Sequence, residues 1–552
     1  MLLSICLLVL LGSASAADDP LSSFPEGFIF GSATASYQVE GAYQEGGRGF
    51  SIWDNFSHTP GKTYMNETGD VADDHYHRYR DDIALMASLG LQHYRMSISW
   101  TRIYPNTTSQ PPNQAGIAFY KNLFLTLQNY SITPYVTLFH WDSPQSLEDA
   151  FGGWRDPRMV DAYAQYARTC FQEFGEFVRH WFTFNEPLTF TTLGYGDGHM
   201  APGRCSVCSQ GNSSTEPYLV GHHILLAHAQ ASHIYRTEFQ RGPDGKGIVA
   251  MVTNCDFVYP QDDASSTDKA AAEVGLQFEC GWWNDPLFFG DYPASMRQAL
   301  GQRLPTFTVE QSQLLRGSSD VIALNHYSSR YATPQTPCSV NDLQWSWNQE
   351  ACIQLLTTDK QGNPIGPVAA SSWLYVVPRG LRSILQWVSA RYNRTAIYVT
   401  ENGVSEENEG QNAPNLNDTW RVDFYTQYIG NLSWAITKDG VDVRGYFAWS
   451  LMDNFEWADG YSKRFGLIYV DFRNGSLQRI LKASATWYAA LIQRNARRAP
   501  TKQDDGLTAG QTAGIIISVL AFVAFLVYGY VRVQQTPSED VDPKYKSYGT
   551  NN

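Results

Sequence analysis

Residues 181–187 read WFTFNEP. The first four, Trp181 to Phe184, have the aromatic and β-branched character of a buried strand, and the run then stops on Asn185, Glu186 and Pro187. A carboxylate at the end of a buried strand is costly to desolvate unless something uses it. The same figure recurs at residues 396–403, AIYVTENG, where a β-branched and aromatic run ends on Glu401, Asn402 and Gly403. Both strand ends must therefore point somewhere that a carboxylate is wanted.

Working outward, eight short apolar runs alternate with helix-like stretches: 27–36 (GFIFGSATAS), 93–100 (HYRMSISW), 133–141 (TPYVTLFHW), 180–187 (HWFTFNEP), 247–254 (GIVAMVTN), 320–327 (DVIALNHY), 396–403 and 443–450 (VRGYFAWS). Between them, segments such as DDIALMASLG (81–90) place apolar residues three and four apart and close on Gly90. Alternating strands and helices predict an α/β fold with a parallel sheet, and a count of eight predicts a closed (β/α)8 TIM barrel. An open doubly wound sheet is the alternative that pattern alone leaves.

In such a barrel, reactive side chains project from the C-terminal strand ends into one mouth. The polar residues there are Gln38, Arg95, His140 with Trp141, Asn185 with Glu186, Asn325 with Tyr327, Glu401 with Asn402, and Trp449, followed closely by Glu456 and Trp457. No phosphate-cradling glycine loop stands at any strand end, so no nucleotide cofactor is expected. In DDHYHRYRDD (73–82) a helix would turn His75 and His77 to different faces, so no metal is expected either.

The chain has 552 residues and no Gly/Ser- or Pro-rich linker before about Thr501, which predicts one large domain over 18–500. With a net charge of -14 and no basic run in the main body, nucleic acid is not an expected partner. Aromatic residues make up 14%, with 16 Trp, which suits a large core together with a ring-lined cleft. MLLSICLLVLLGSASAA (1–17) reads as a secretory signal despite lacking a basic start. Residues 513–531, AGIIISVLAFVAFLVYGYV, carry no charge and no Pro, enough to span roughly 30 Å of hydrocarbon as a helix. A juxtamembrane linker at 501–512 and a polar tail at 532–552 complete the expectation of a single-pass type I membrane protein of the secretory pathway, at the cell surface or in the endoplasmic reticulum, with the bulk of the chain lumenal. A buried core helix and a removable lipid-anchor signal are the alternatives for 513–531, and the tail argues against the second.

Nine N-x-S/T sequons, at Asn55, Asn66, Asn106, Asn129, Asn212, Asn393, Asn417, Asn431 and Asn474, fit a glycosylated lumenal domain. Of the eight cysteines, Cys6 leaves with the signal; Cys205 with Cys208 and Cys338 with Cys352 are candidate staples, and an odd count leaves a thiol free. Zinc or redox chemistry at Cys205-x-x-Cys208 has no second pair to support it.

Two carboxylates across a mouth ringed by Gln, His, Asn and Trp suit a polyhydroxylated ring, since amides and imidazoles bond hydroxyls while indoles stack on C–H faces. Glycosidic cleavage needs such a pair: one carboxyl protonates the departing oxygen, and the other attacks the anomeric carbon when about 5 Å away or activates a water when about 6.5–9.5 Å away. Thr183–Pro187 (TFNEP) and Thr400–Gly403 (TENG) resemble the two signatures of glycoside hydrolase family 1, the β-glucosidase and lactase family. FIFGSATASYQVEGA (28–42), RMSISWTRIYP (95–105), LFHWDSP (138–144), WSLMDNFEW (449–457) and KRFGLIYVDF (463–472) are similar to the family in the same order. The likeness covers roughly Phe24 to Gln493 and, with the C-terminal span, most resembles the animal membrane-anchored, lactase-like members.

That resemblance implies a retaining mechanism on an eight-stranded barrel, with Glu186 as acid/base and Glu401 as the nucleophile that forms a glycosyl ester. It implies that Arg95 and Tyr327 hold Glu401 ionised, that Asn325 supports the pair, that Gln38, His140, Asn185, Glu456 and Trp457 meet the sugar hydroxyls, with Asn185 at the 2-hydroxyl, and that Trp449 is the stacking floor. Trp373 would be the leaving-group platform and Phe465 would shape the rim. No cofactor is implied, and the partner would be a β-linked small glycoside, oligosaccharide or glycolipid. A catalytically silent, Klotho-like co-receptor or glycan binder is the rival reading. The presence of both carboxylates favours hydrolysis, and Glu rather than Gln at 186 argues against a thioglucosidase.

Overall fold

The computed structural model describes residues 20–22, 24–240, 247–341, 344–408, 414–473 and 475–496. Among them no helix is long and apolar enough to cross a membrane. The predicted span 513–531 lies outside the described residues, as do the predicted signal, linker and tail.

Eight parallel strands close into a barrel: β1 (Ile29–Ala33), β2 (His93–Ser97), β3 (Thr133–Phe139), β4 (His180–Asn185), β5 (Ile248–Asn254), β6 (Ile322–Asn325), β7 (Ile397–Asn402) and β8 (Val443–Trp449). Each pairs with its sequence neighbours, and β1 closes on β8 through the register Ile29↔Gly445 to Ala33↔Trp449. Every run expected to be a strand is one, and the open-sheet alternative falls because β1 and β8 are bonded to each other. Nearly every strand residue is buried, as expected of parallel strands covered on both faces.

Large rings plug the barrel. Tyr135 stacks on His180 with centroids 4.1 Å apart and meets Phe447 edge-on at 4.9 Å. Phe447 needs a gap opposite it, and Gly31 supplies one: a Cβ there would lie 2.5 Å from the ring. Burial drives His93 and His180, near the strand starts, down to about 4, so both belong to a neutral core. His75, at the start of the helix His75–Ser88, is buried against Asp82 at 2.8 Å, whereas His77 is half-exposed on another face. Among the described residues no cluster could hold a metal ion.

Beyond the strand ends, loops carry small sheets of their own. Phe257–Pro260, Ser329–Pro334 and Ile353–Leu356 form one, and Glu406–Glu407 with Lys463–Arg464 another. The disulfides Cys205–Cys208 and Cys338–Cys352 are present, Cys170 is the buried free thiol among the described residues, and a third bridge, Cys255–Cys280, clamps the residue just after β5.

Candidate active site

The C-terminal strand ends converge on one cavity of about 670 Å³, walled by Glu186, Glu401, Asn185, Asn325, Tyr327, His140, Trp449, Glu456, Trp457, Phe465 and Trp373. All but three of the residues singled out from sequence stand on that wall; Asn402 is buried behind it with its amide on the His326 carbonyl. Gln38 and Arg95 are fully buried away from it. Gln38 sits on the short helix Ser36–Val39 rather than at the end of β1, and Arg95 lies within β2 rather than at its end.

Local backbone chemistry aims the two carboxylates. Glu186 follows β4 with φ 42° and ψ 64°, a left-handed conformation costing a non-glycine residue about 1–3 kcal/mol. The helix Pro187–Tyr195 begins at once, with Pro at its first turn where no N–H is needed. The kink turns the carboxyl into the cavity instead of back along the sheet. Trp141 and Trp457, on the same wall, are also left-handed (φ 74° and 52°). Glu401 is the penultimate residue of β7 and is beside Asn325 across the ladder. Gly403 lets that segment pass against β8, since a Cβ would meet the Trp449 carbonyl oxygen at 1.8 Å.

One hydrogen-bonded chain joins the acids. Arg95 donates to a Glu401 oxygen through Nη1 and to Asn185 Oδ1 through Nη2 at 2.6 Å. Asn325 Nδ2 donates to that same Asn185 oxygen at 3.2 Å and to Glu186 Oε1 at 2.7 Å. The second Glu401 oxygen accepts from the Tyr327 hydroxyl at 2.7 Å. Guanidinium donors have no acceptor capacity, so the Asn185 atom facing Arg95 is its oxygen and its amide nitrogen faces His140 Nε2 at 3.0 Å. That nitrogen keeps a second hydrogen for a ligand hydroxyl. Receiving a proton donor on Nε2, the neutral His140 carries its own proton on Nδ1, which has no partner. Burial, then Arg95, hold His140 well below the ordinary imidazole value, so it stays uncharged.

The acids occupy contrasting surroundings. Glu401 faces a cation and a phenol, both of which stabilise its anion. Among the described residues no cation is bonded to Glu186; burial and then the neighbouring Glu401 carboxylate push it up to about 8, against the weaker pull of the Asn325 and Thr189 hydrogen bonds. Glu456 is raised well above the usual carboxyl range by burial first and then by Asp459, Glu401 and Glu186, with a long contact from Gln38 at 3.4 Å. Gln38 otherwise donates to Asn454 and to the Phe455 carbonyl, and its oxygen is left without a partner.

Indoles and rings shape the floor and the rim. His140 lies nearly parallel to Trp449 and to Trp457, at 6.0 and 5.8 Å, and Trp141 packs on Trp457 at 4.5 Å. Tyr327 is met edge-on by Trp373 at 5.8 Å and Phe465 at 6.2 Å. Trp373 is 45% exposed, as befits a residue at the opening.

Several wall residues escaped the sequence reading, four of them polar groups that bear on the site. Thr189 donates to Glu186 Oε2 at 2.9 Å, one turn into the helix that Glu186 starts. Asn254 ends β5 just as Asn185 ends β4, so the strand-end rule would have found it. Asp256 accepts from the Tyr327 and Ser328 amides at 3.1 and 2.7 Å and thereby fixes the turn that carries Tyr327. Lys463 stands at the opening, bonded to Glu407 at 2.7 Å.

Comparison with known proteins agrees with this geometry. Residues 21–497 match the model of glycosyl hydrolase family 1. Beta-glucosidase 6 of Oryza sativa subsp. japonica is 47% identical over 479 residues, 85% of this chain and 91% of that protein. Beta-glucosidase 42 of Arabidopsis thaliana is 46% identical, over 86% and 94%. Among solved structures, a mutant of the rice Os3BGlu6 β-glucosidase in a covalent complex with glucose superposes with a TM-score of 0.82 at 46% identity, over 85% of this chain and 98% of that one. A family 1 β-glucosidase from the fungus Humicola insolens in complex with glucose gives 0.82 at 41%, over 86% and 98%. By its barrel, its paired strand-end acids and these matches, the chain belongs to glycosyl hydrolase family 1.

Proposed function

We propose that this protein is a retaining β-glycosidase that removes terminal β-linked glucose- or galactose-type sugars through a covalent glycosyl ester. The observation that carries the reading is the opposed environment of two acids on one cavity wall: Glu401 beside Arg95 and Tyr327, Glu186 desolvated and raised to about 8. Glu401 attacks the anomeric carbon while Glu186, still protonated at neutral pH, gives its proton to the leaving oxygen. Esterification removes the Glu401 charge, and with it the repulsion that raised Glu186. Glu186 then takes a proton from the water that cleaves the ester. The covalent glucose complex of the related rice enzyme supports this route.

Asn185, with its oxygen fixed by Arg95 and Asn325, offers its free amide hydrogen to the 2-hydroxyl, where the bond strengthens as positive charge develops on the ring. His140, Glu456 and Trp457 take the remaining hydroxyls over the Trp449 floor, with Gln38 held behind Glu456, while Trp373 and Phe465 bracket the leaving group. The silent co-receptor reading has no observation in its favour, since each element of the acid pair is intact. For location, the reading is a lumenal catalytic domain on a single C-terminal span. Its support is the apolar run 513–531, the leader, and the exposure of seven of the eight described sequon asparagines.

The purified protein should release the aryl group from an aryl β-glucoside or β-galactoside, and proton NMR should show the β-anomer of the free sugar first. The α-anomer appearing first would overturn the retaining route, and no turnover by folded protein would favour a binding role.

A further inference from the structure

Outside the active site lies a groove of about 760 Å³, and its wall includes Tyr64, Asn66, Thr68, Val71, Tyr461 and Phe472. Three large apolar side chains are exposed here within eight residues of one another: Tyr64 at 50%, Met65 at 75% and Val71 at 58%. Such clustering on a folded surface marks a place where something is covered.

The turn at its edge is tightly built. Met65 and Asn66 both have left-handed backbones (φ 50° and 59°), and the Glu67 amide donates to the Tyr64 carbonyl at 3.0 Å, as in a type I′ turn. Thr63 Oγ1 donates to the Glu67 carbonyl at 2.7 Å. Glu67 in turn accepts from the Tyr461 amide at 2.6 Å, and the Tyr461 hydroxyl donates to the Thr68 carbonyl at 2.9 Å. A left-handed methionine is unfavourable, yet the surroundings hold it there with its side chain in solvent.

Asn66 is a sequon asparagine, and its amide orientation is fixed by chemistry. The Gly61 amide can only donate, so the atom it meets at 2.6 Å is Oδ1, leaving Nδ2 as the outward atom. The contrast with Asn431 is direct: its Nδ2 donates to Gln427 of its own helix at 2.9 Å. Two residues before Asn66 stands Tyr64, half-exposed. Aromatic residues also stand two before Asn55 and Asn106, but Trp53 and Tyr104 are buried at 0% and 2%. Among the described sequons, Asn66 alone combines a free outward amide nitrogen, an exposed ring two residues before it and a groove on whose wall both lie.

We infer that Asn66 carries an N-linked oligosaccharide whose first sugars pack on Tyr64 and fill this groove, as a structural ligand separate from the substrate. In the modification, the Asn66 amide nitrogen attacks C1 of an oligosaccharide carried on a lipid diphosphate. The C1–oxygen bond to the diphosphate breaks, the diphosphate keeps the electron pair, and Nδ2 loses one proton. The C–H face of the first sugar then covers the Tyr64 ring, a match of flat apolar surfaces. Because the turn is bonded to the segment that carries Glu456 and Trp457 on into Tyr461, the covered groove also braces the active-site loop. This inference rests on the lumenal location proposed above.

The test is glycopeptide mass spectrometry on the full chain from a eukaryotic cell, with enzymatic deglycosylation in heavy-oxygen water. Asn66 is expected to be converted to labelled Asp, and Asn66→Gln and Thr68→Ala are each expected to lose the mass of one glycan. In Tyr64→Ala the glycan is expected to remain, but an endoglycosidase acting on native protein should release it several-fold faster than from the wild type. Modification at other sequons with Asn66 bare would overturn the inference alone, and equal release from wild type and Tyr64→Ala would overturn the packing. A chain with no glycan at any sequon would overturn it together with the lumenal location.

Discussion

Two buried charge clusters lie at the C-terminal side of β8, and they are built on opposite rules. In one, Asp453 receives Lys482 Nζ at 2.7 Å and Arg464 Nη1 at 2.7 Å, while Arg421 pairs with Asp418 at 2.5 Å; all five side chains are essentially inaccessible. Burial pushes Asp453 up, but Lys482, Arg464 and Arg421 outweigh it and hold it below the usual range. In the other, Glu186, Glu401 and Glu456 share a cavity, and among the described residues Arg95 is the one cation bonded to any of them. The first cluster satisfies its charges and fixes structure. The second leaves two of its acids raised, which is the condition for moving a proton at neutral pH.

Breaking the unsatisfied cluster should cost activity and spare the fold. Glu401→Ala is expected to lose at least about 10⁴-fold in turnover of an aryl β-glucoside, and azide or formate should restore part of it in Glu401→Gly; stopped assays with and without the anion check both. Glu186→Gln should lower kcat by about 10²–10⁴-fold with an unactivated leaving group, and less with an activated aryl one.

The same Glu186→Gln variant sharpens the comparison through stability. A carboxyl raised to about 8 keeps its proton in the folded state while the unfolded chain releases it near the ordinary glutamate value of 4.5. Wild-type stability therefore falls as pH rises between those values. The Gln variant lacks that loss, so it should be more stable at pH 8 by on the order of a few kcal/mol, with the difference vanishing below about pH 4.5. Denaturant titrations at the two pH values measure it. The falling limb of wild-type kcat/KM should lie near pH 8 for the same reason.

Breaking the satisfied cluster should do the reverse. Asp453→Ala leaves buried cations uncompensated, at an expected cost of about 3–5 kcal/mol in unfolding free energy, with kcat per folded molecule nearly unchanged. The smallest effect belongs to Thr189→Val: without the hydroxyl that bonds Glu186, the falling limb should move to higher pH by less than about one unit, with kcat within about tenfold of wild type. A limb that stays put would remove Thr189 from the account.

How much of this was legible follows from where each signal resides. All eight strands were readable because burial on both faces writes a continuous apolar run, and the strand-end acids were readable because Asn185–Glu186 and Glu401–Asn402 interrupt such runs. Arg95 and Gln38 were found, but their placement behind the wall is a matter of side-chain direction that spacing does not record. Thr189 depends on the helix that Pro187 starts, whose one turn brings it back over Glu186. Cys255–Cys280 joins residues 25 apart with no motif to mark them, and the small loop sheets arise from tertiary contacts between segments of low intrinsic pattern.

The central claim is that Glu401 becomes covalently bonded to the sugar while Glu186 manages the proton. Incubation with an activated 2-deoxy-2-fluoro β-glucoside, whose fluorine slows hydrolysis of the ester, followed by peptide mass spectrometry tests it most directly. The expected result is time-dependent inactivation with one fluoroglucosyl group on the peptide containing Glu401, absent from Glu401→Ala. A label on Glu186 or on another residue, or full turnover with no trapped ester, would contradict the account.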